Sequence, residues 1–163
     1  MSSSCGKSAC WKPGEPVWLE SPNYIARSLT PGDVTDRMLS WWADPEIMLP
    51  LTIKPGNYPR EYLINYIRKF DNVSGFILGT FVKDTGLHIG WRKTEYNAER
   101  GTAMSDIALG DKSYWGRGIN LELQTVVYDF LFYSVGIKKI VELVYAENKR
   151  SRRRWERSTC RCR

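Results

Sequence analysis

The chain is poor in the residues that metal and thiol chemistry require. It holds one histidine, His88, and four cysteines, Cys5, Cys10, Cys160 and Cys162, all near the termini. No C-x-x-C pair occurs and a lone histidine cannot complete a usual zinc set, so reduced, non-catalytic thiols and no metal are expected. No run approaches the roughly 20 apolar residues that span a bilayer, and the first residues lack the apolar stretch of a secretory signal. The expectation is a soluble, cytoplasmic protein with no membrane partner. Two common nucleotide fingerprints are missing as well. There is no G-x-x-x-x-G-K-[ST] string, and the third glycine of a G-x-G-x-x-G would fall on Leu121.

What is present suits one folded domain. A length of 163 residues with 42% hydrophobic and 13% aromatic residues is enough to bury a core, which argues against disorder. Residues 1–16 show no apolar periodicity, so 1–22 is expected to be a loose leader and 23–163 the domain. The net charge of +6 is local: eight Lys/Arg against one acid lie in 149–163, leaving the remaining chain near neutral. Nucleic-acid binding would rest on that tail alone, and no specific nucleic-acid partner is expected.

The pattern along the chain predicts a mixed α/β fold. Tyr24–Leu29 is a short strand candidate closed by Thr30-Pro31-Gly32-Asp33, where Thr30 or Asp33 can cap a helix from about Val34 to Trp42. Asp44–Asn57 carries three prolines and a glycine and reads as loop. A second helix is expected over Pro59–Phe70, with Tyr62, Leu63, Tyr66, Ile67 and Phe70 on one broad apolar face. Phe76–Lys83 and Leu87–Lys93 flank Asp84-Thr85-Gly86 as a hairpin, and Thr102–Leu109 follows as a third antiparallel strand. Asn120–Ser134 sets Leu123, Val126, Val127, Phe130 and Leu131 on one helical face, with Gly136 as its stop. Lys138–Tyr145 reads as a buried strand, parallel to 102–109 because a crossover helix joins them.

Between Leu109 and that crossover helix lies Gly110-Asp111-Lys112-Ser113-Tyr114-Trp115-Gly116-Arg117-Gly118. A strand that ends in a glycine-spaced turn and starts a helix is suited to an anion. The helix's first N–H groups have no internal acceptors, the macrodipole adds positive charge, and glycines allow close approach. Taken alone, G-x-G is weak evidence and more often merely a tight turn.

The run from Ala108 to Ser151 resembles the acetyl-CoA-binding half of the GNAT superfamily of N-acetyltransferases, and is similar to its ribosomal-protein N-terminal acetyltransferase branch. The superfamily's [Q/R]-x-x-G-x-[G/A] turn is matched by Ser113-x-x-Gly116-x-Gly118, with Ser113 departing at the first position. An Asn followed three residues later by a small residue is matched by Asn148 and Ser151. The resemblance implies a GNAT-like acyl-CoA N-acyltransferase fold: a central mixed, mostly antiparallel sheet with flanking helices. It also implies acetyl-CoA as co-substrate and a primary amine, on a small molecule or a peptide N-terminus, as acceptor. Backbone groups near Ile107 and Leu109 would bond the pantetheine arm. The N–H groups from Trp115 through Gly116, Arg117, Gly118 and Ile119 to Asn120 would hold the pyrophosphate, and Asn148 would orient the pantetheine.

Amine acylation needs a neutral amine, a polarised thioester and a proton for the leaving thiolate. Many members of the family use a carboxylate on the strand matching 102–109. Met104, Asp106 and Ala108 share a face there, so Asp106 is the candidate base, the bland alternative being a structural bond to a neighbouring turn. Glu142 and Glu99 are weaker candidates. Where many members place a tyrosine acid this chain has Trp155. Ser151 is the better-placed hydroxyl, its alternative role being close helix packing, and Tyr145 is in reserve. Trp41, Trp42, Tyr58, Tyr62 and Tyr66 lie in the region of the family's acceptor wall, where core packing accounts for most of them.

The family's last helix usually ends in Gly-Phe and runs on into further strands. Here Thr159-Cys160 stand at that pair, and Arg150, Arg153, Arg154 and Arg157 cluster on one side. The last helix and terminal strands are therefore expected to be incomplete, which would uncover the edge of 138–145 and favour a homodimer. Two rivals accompany the enzyme hypothesis: a catalytically weak CoA-binding or regulatory module, and a nucleic-acid binder acting through its arginine tail.

Overall fold

The computed structural model describes residues 11–143 together with Lys149, Arg152, Arg153 and Glu156. Cys5, Cys10, Tyr145, Asn148, Arg150, Ser151, Arg154, Trp155, Arg157, Cys160 and Cys162 lie outside the described residues. The elements run β1 (Trp18–Glu20), β2 (Tyr24–Ser28), α1 (Asp36–Ala43), α2 (Pro45–Met48), α3 (Arg60–Ile67), β3 (Gly75–Val82), β4 (His88–Asn97), β5 (Thr102–Leu109), α4 (Ile119–Asp129) and β6 (Lys139–Val141). They form one six-stranded sheet in sequence order, antiparallel throughout except for the parallel β5–β6 pair.

β3 is buried along nearly its whole length because helices cover both sheet faces. Its alternation divides the core: Phe76 and Leu78 pack with Leu123, Val127 and Phe130 of the α4 layer. Ile77 and Phe81 instead pack with Met38, Trp42, Leu63 and Trp91 under α1–α3. A bulge between Thr80 and Phe81 shifts the β3–β4 register. Trp91 stacks near both Trp41 and Trp42, with ring centroids 6.0 and 5.9 Å away. These two tryptophans, at 5% and 1% exposure, are therefore core residues.

Several local expectations are corrected. β1 forms inside the stretch expected to be a leader, because Val17 and Leu19 are buried against the core. Thr35, not Thr30 or Asp33, caps α1 by accepting from the Met38 N–H at 3.3 Å. Thr30 and Asp33 instead close the short 3-10 turn Pro31–Asp33, where Arg27 grips the Asp33 carboxylate. The second helix is shorter than expected and its face narrower: Leu63 and Ile67 are buried, whereas Tyr62 is 48% exposed. The crossover helix is α-helical only to Asp129 and finishes in a π-helical turn, Phe130–Val135, that Gly136 ends at φ 84°. β6 is also shorter than expected, and Leu143 beyond it is exposed. A β-favouring sequence does not specify how far its neighbour stays within reach, and β5 pairs with β6 only from Thr102↔Lys139 to Met104↔Val141.

Among the described residues no helix is long and apolar enough to cross a membrane.

Candidate active site

The parting of β5 and β6 creates the site. After Met104, the Ser105–Leu109 half of β5 has no strand partner on its β6 side among the described residues. Chain direction then changes at Gly110, where any Cβ would come within 2.0 Å of the Trp41 ring, so only glycine lets α1 pack against the strand end. Asp111 accepts from the Ser113 N–H and hydroxyl at 3.0 and 2.7 Å and pairs with Arg37 of α1. Burial opposes ionisation of Asp111, but the Ser113 bonds and the Arg37 guanidinium outweigh it and hold the carboxyl below its usual range.

The chain then passes Trp115, whose indole Nε1 donates to the Leu109 carbonyl at 2.7 Å. Gly116 and Gly118 follow with φ of 79° and 75°, left-handed values that side chains disfavour, and a Cβ on either would meet open space. Gly118 is the N-cap of α4 and supplies no side-chain acceptor. The helix's first N–H groups therefore face the open side of the turn with the positive end of the macrodipole behind them.

This turn lines a cavity of about 580 Å³. Its walls bring together Ile107, Leu109 and the whole stretch Trp115–Asn120, all but two of the residues expected to bind the co-substrate. Ser113 does not line the cavity, being turned onto Asp111, and Asn148 lies outside the described residues. Sequence reasoning missed the opposite wall of Glu46, Ile47, Pro50 and Leu51. It belongs to α2 and a following 3-10 turn, in a segment expected to be loop. The signal was there: Asp44-Pro45 is an N-cap followed by a first-turn proline, and Asp44 accepts from the Glu46 N–H at 2.9 Å. Arg153 also lines the cavity, and the Arg117 guanidinium lies 4.8 Å from the Tyr114 ring centre. Two cations beside a helix N-terminus are complementary to phosphate.

The comparisons with known proteins agree with this geometry. The model of the family described as the acetyltransferase (GNAT) domain matches residues 24–160. The chain belongs to the GNAT acetyltransferase family. It is thus an acyl-CoA N-acyltransferase, of a family that moves acetyl groups from acetyl-CoA to amines. No curated protein matches it. Among solved structures, a spermidine N-acetyltransferase from Vibrio cholerae in complex with CoA and spermine aligns with TM-score 0.73 at 18% identity, over 82% of this chain and 78% of that one. A GNAT-family acetyltransferase from Bacillus anthracis aligns with TM-score 0.71 at 14% identity, over 86% and 81%. A putative ribosomal-protein-serine acetyltransferase from Vibrio cholerae gives 0.69 at 12% identity, over 90% and 83%. At such identities these likenesses concern the fold.

In this acetyltransferase the candidate base lies apart from the cavity lining. Asp106 is on the α1–α3 face of β5 with Met104 and Ala108, and only Ala108 of the three lines the cavity. Register sets Lys93 of β4 opposite Asp106, and the Lys93 ammonium stands 3.2 Å from both Asp106 and Glu95. Burial works against the charged Lys93, but neighbouring Tyr66, Asp106 and Glu95 prevail and raise its pKa. Tyr66 itself is raised, chiefly by burial. Of the weaker candidates, Glu142 accepts from the Tyr128 hydroxyl, and Glu99 sits in the exposed β4–β5 turn. Among the described residues no group of His, Cys, Asp and Glu could hold a metal ion.

Proposed function

We propose that this GNAT protein transfers the acetyl group of acetyl-CoA to a primary amine by direct attack, without a covalent enzyme intermediate. The observation that carries this reading is the meeting, in one cavity, of the unpartnered half of β5 with the glycine-capped start of α4. The Trp115–Asn120 backbone receives the pyrophosphate, with Arg117 and Arg153 adding charge. Ile107 and Leu109 offer the pantetheine amides the hydrogen bonds that a neighbouring strand would otherwise take. The Leu109 carbonyl, already accepting from Trp115, keeps a second lone pair for this. When bound, acetyl-CoA supplies an activated acyl thioester.

In the same reading Asp106 takes the amine proton, directly or through water, and Lys93 holds its carboxylate in place. Asn148 orients the pantetheine and Ser151 protonates the departing thiolate. Tyr66, which lies within electrostatic reach of Lys93, Glu95 and Asp106, would stand beside the acceptor amine. The acceptor classes to be separated are peptide N-termini, as the ribosomal-protein branch would use, then polyamines, aminosugars and amine metabolites. The test is CoA release from acetyl-CoA across that amine panel. Acceptor-dependent release supports the reading; saturable acetyl-CoA binding with no release on any amine would leave a CoA-binding module instead.

A further inference from the structure

The cavity has two walls contributed by distant parts of the chain, the α2 segment and the turn into α4. One side chain spans them. The Lys112 ammonium lies 2.7 Å from Asp44 Oδ2 and 2.7 Å from Glu46 Oε2, and 5.5 Å from the Trp115 ring centre. Asp44 caps α2 and Glu46 lines the cavity, so Lys112 fastens the base of one wall to the start of the other. Charge makes this contact matter. Glu46 shares its cavity with Arg117 and Arg153, where an anionic ligand is expected. Left uncompensated, Asp44 and Glu46 would oppose that ligand from the facing wall.

We infer that Lys112 is a positioning residue for the co-substrate: it cancels the Asp44 and Glu46 charges beside the cavity and holds α2 against the pyrophosphate turn. The inference rests on the acetyl-CoA reading of the cavity. Hydrogen bonds to Asp44 and Glu46 raise the pKa of Lys112, so the clasp stays charged near neutral pH. The side chain is well exposed, so its loss does not threaten the fold.

Calorimetric titration with acetyl-CoA at low salt tests it on four proteins: wild type, Lys112→Met, Lys112→Arg and the double variant Lys112→Met/Glu46→Gln. We expect Lys112→Met to weaken binding about tenfold. The deficit should shrink as added salt shortens the Debye length from about 30 Å at 0.01 M to 8 Å at 0.15 M. Lys112→Arg should bind like wild type, and Glu46→Gln should restore most of the loss, with melting temperatures unchanged throughout. A purely structural lysine would produce a deficit that neither salt nor Glu46→Gln relieves, and that result overturns the inference. So does a Lys112→Met protein that binds as tightly as wild type. A wild type that fails to bind acetyl-CoA overturns the reading of the cavity, and the role of Lys112 with it.

Discussion

At one end of β5 the stretch Gly110–Asn120 offers a ligand mostly backbone, with two left-handed glycines, a helix start and one exposed lysine held by two carboxylates. Part-way along the same strand, Lys93, Glu95 and Asp106 offer only side chains, again one lysine between two carboxylates, but with Lys93 and Asp106 partly buried and Tyr66 nearby. The two clusters have the same composition and differ in what assembles them. The backbone of the first depends on consecutive residues whose conformations are locally set, although its lysine takes both carboxylates from distant α2 and its cap. The second exists only because β4 pairs with β5 in a register that sets Lys93 opposite Asp106. A backbone cradle tolerates changed neighbours, whereas a register-built cluster is sensitive to each of its members.

The largest expected effect comes from breaking the second cluster at its working end. Asp106→Asn should lower turnover by about 10²–10⁴-fold, the usual worth of a positioned proton acceptor. Lys93 keeps Glu95 as a partner, so the fold should survive. The loss should be greatest at low pH, where few amine molecules are already neutral, and should fade as pH approaches the amine's own pKa. A pH–rate profile with the best acceptor checks this. A wild-type profile would make Asp106 structural.

The same contrast governs what was legible in the sequence. The glycine turn, the strand before it and the helix after it were readable because each is a local signal, and Ile107, Leu109 and Trp115–Asn120 line one cavity. The Lys93–Asp106 pair was not legible, since no spacing within β5 reveals what β4 sets across from it. Glu46 and Ile47 were missed for a related reason. Three prolines hid a one-turn helix whose place in the site depends on packing of Ile47 and Met48 into the core. β1 is three residues long, too short to show a period, and is held by pairing with β2 rather than by its own pattern.

An intermediate effect concerns the core that supports both ends. His88 is stacked on Phe81 at 4.6 Å and edge-on to Trp41 at 5.1 Å, with Nε2 donating to the Gly90 carbonyl at 2.9 Å. Burial pushes its pKa down to about 4, only partly opposed by that carbonyl. The unfolded chain takes up the proton near pH 6.5 while the folded protein does not. Stability is therefore complete above pH 6.5 and declines as pH falls from there toward 4, by up to roughly 3 kcal/mol. His88→Phe should remove this part of the acid loss, as read from denaturant midpoints between pH 7 and 4.5. An unchanged pH slope in the variant would mean that other groups account for it.

The smallest effect sharpens the boundary of the cradle. Ser113 occupies the first position of the glycine motif, yet its hydroxyl bonds to Asp111 and it does not line the cavity. Ser113→Ala should leave acetyl-CoA affinity within about twofold, less than 0.5 kcal/mol. A tenfold loss would bring Ser113 into the site.

The central claim, that the turn from Trp115 to Asn120 holds the pyrophosphate of acetyl-CoA, is tested most directly by calorimetric titration of wild type and Gly118→Glu with acetyl-CoA. Circular dichroism and thermal melting establish that the variant is folded. The account predicts saturable binding by the wild type. It also predicts at least about a hundredfold loss in the folded variant, where a carboxylate and a disfavoured left-handed backbone replace an open glycine. Equal affinity in a folded Gly118→Glu protein would contradict it.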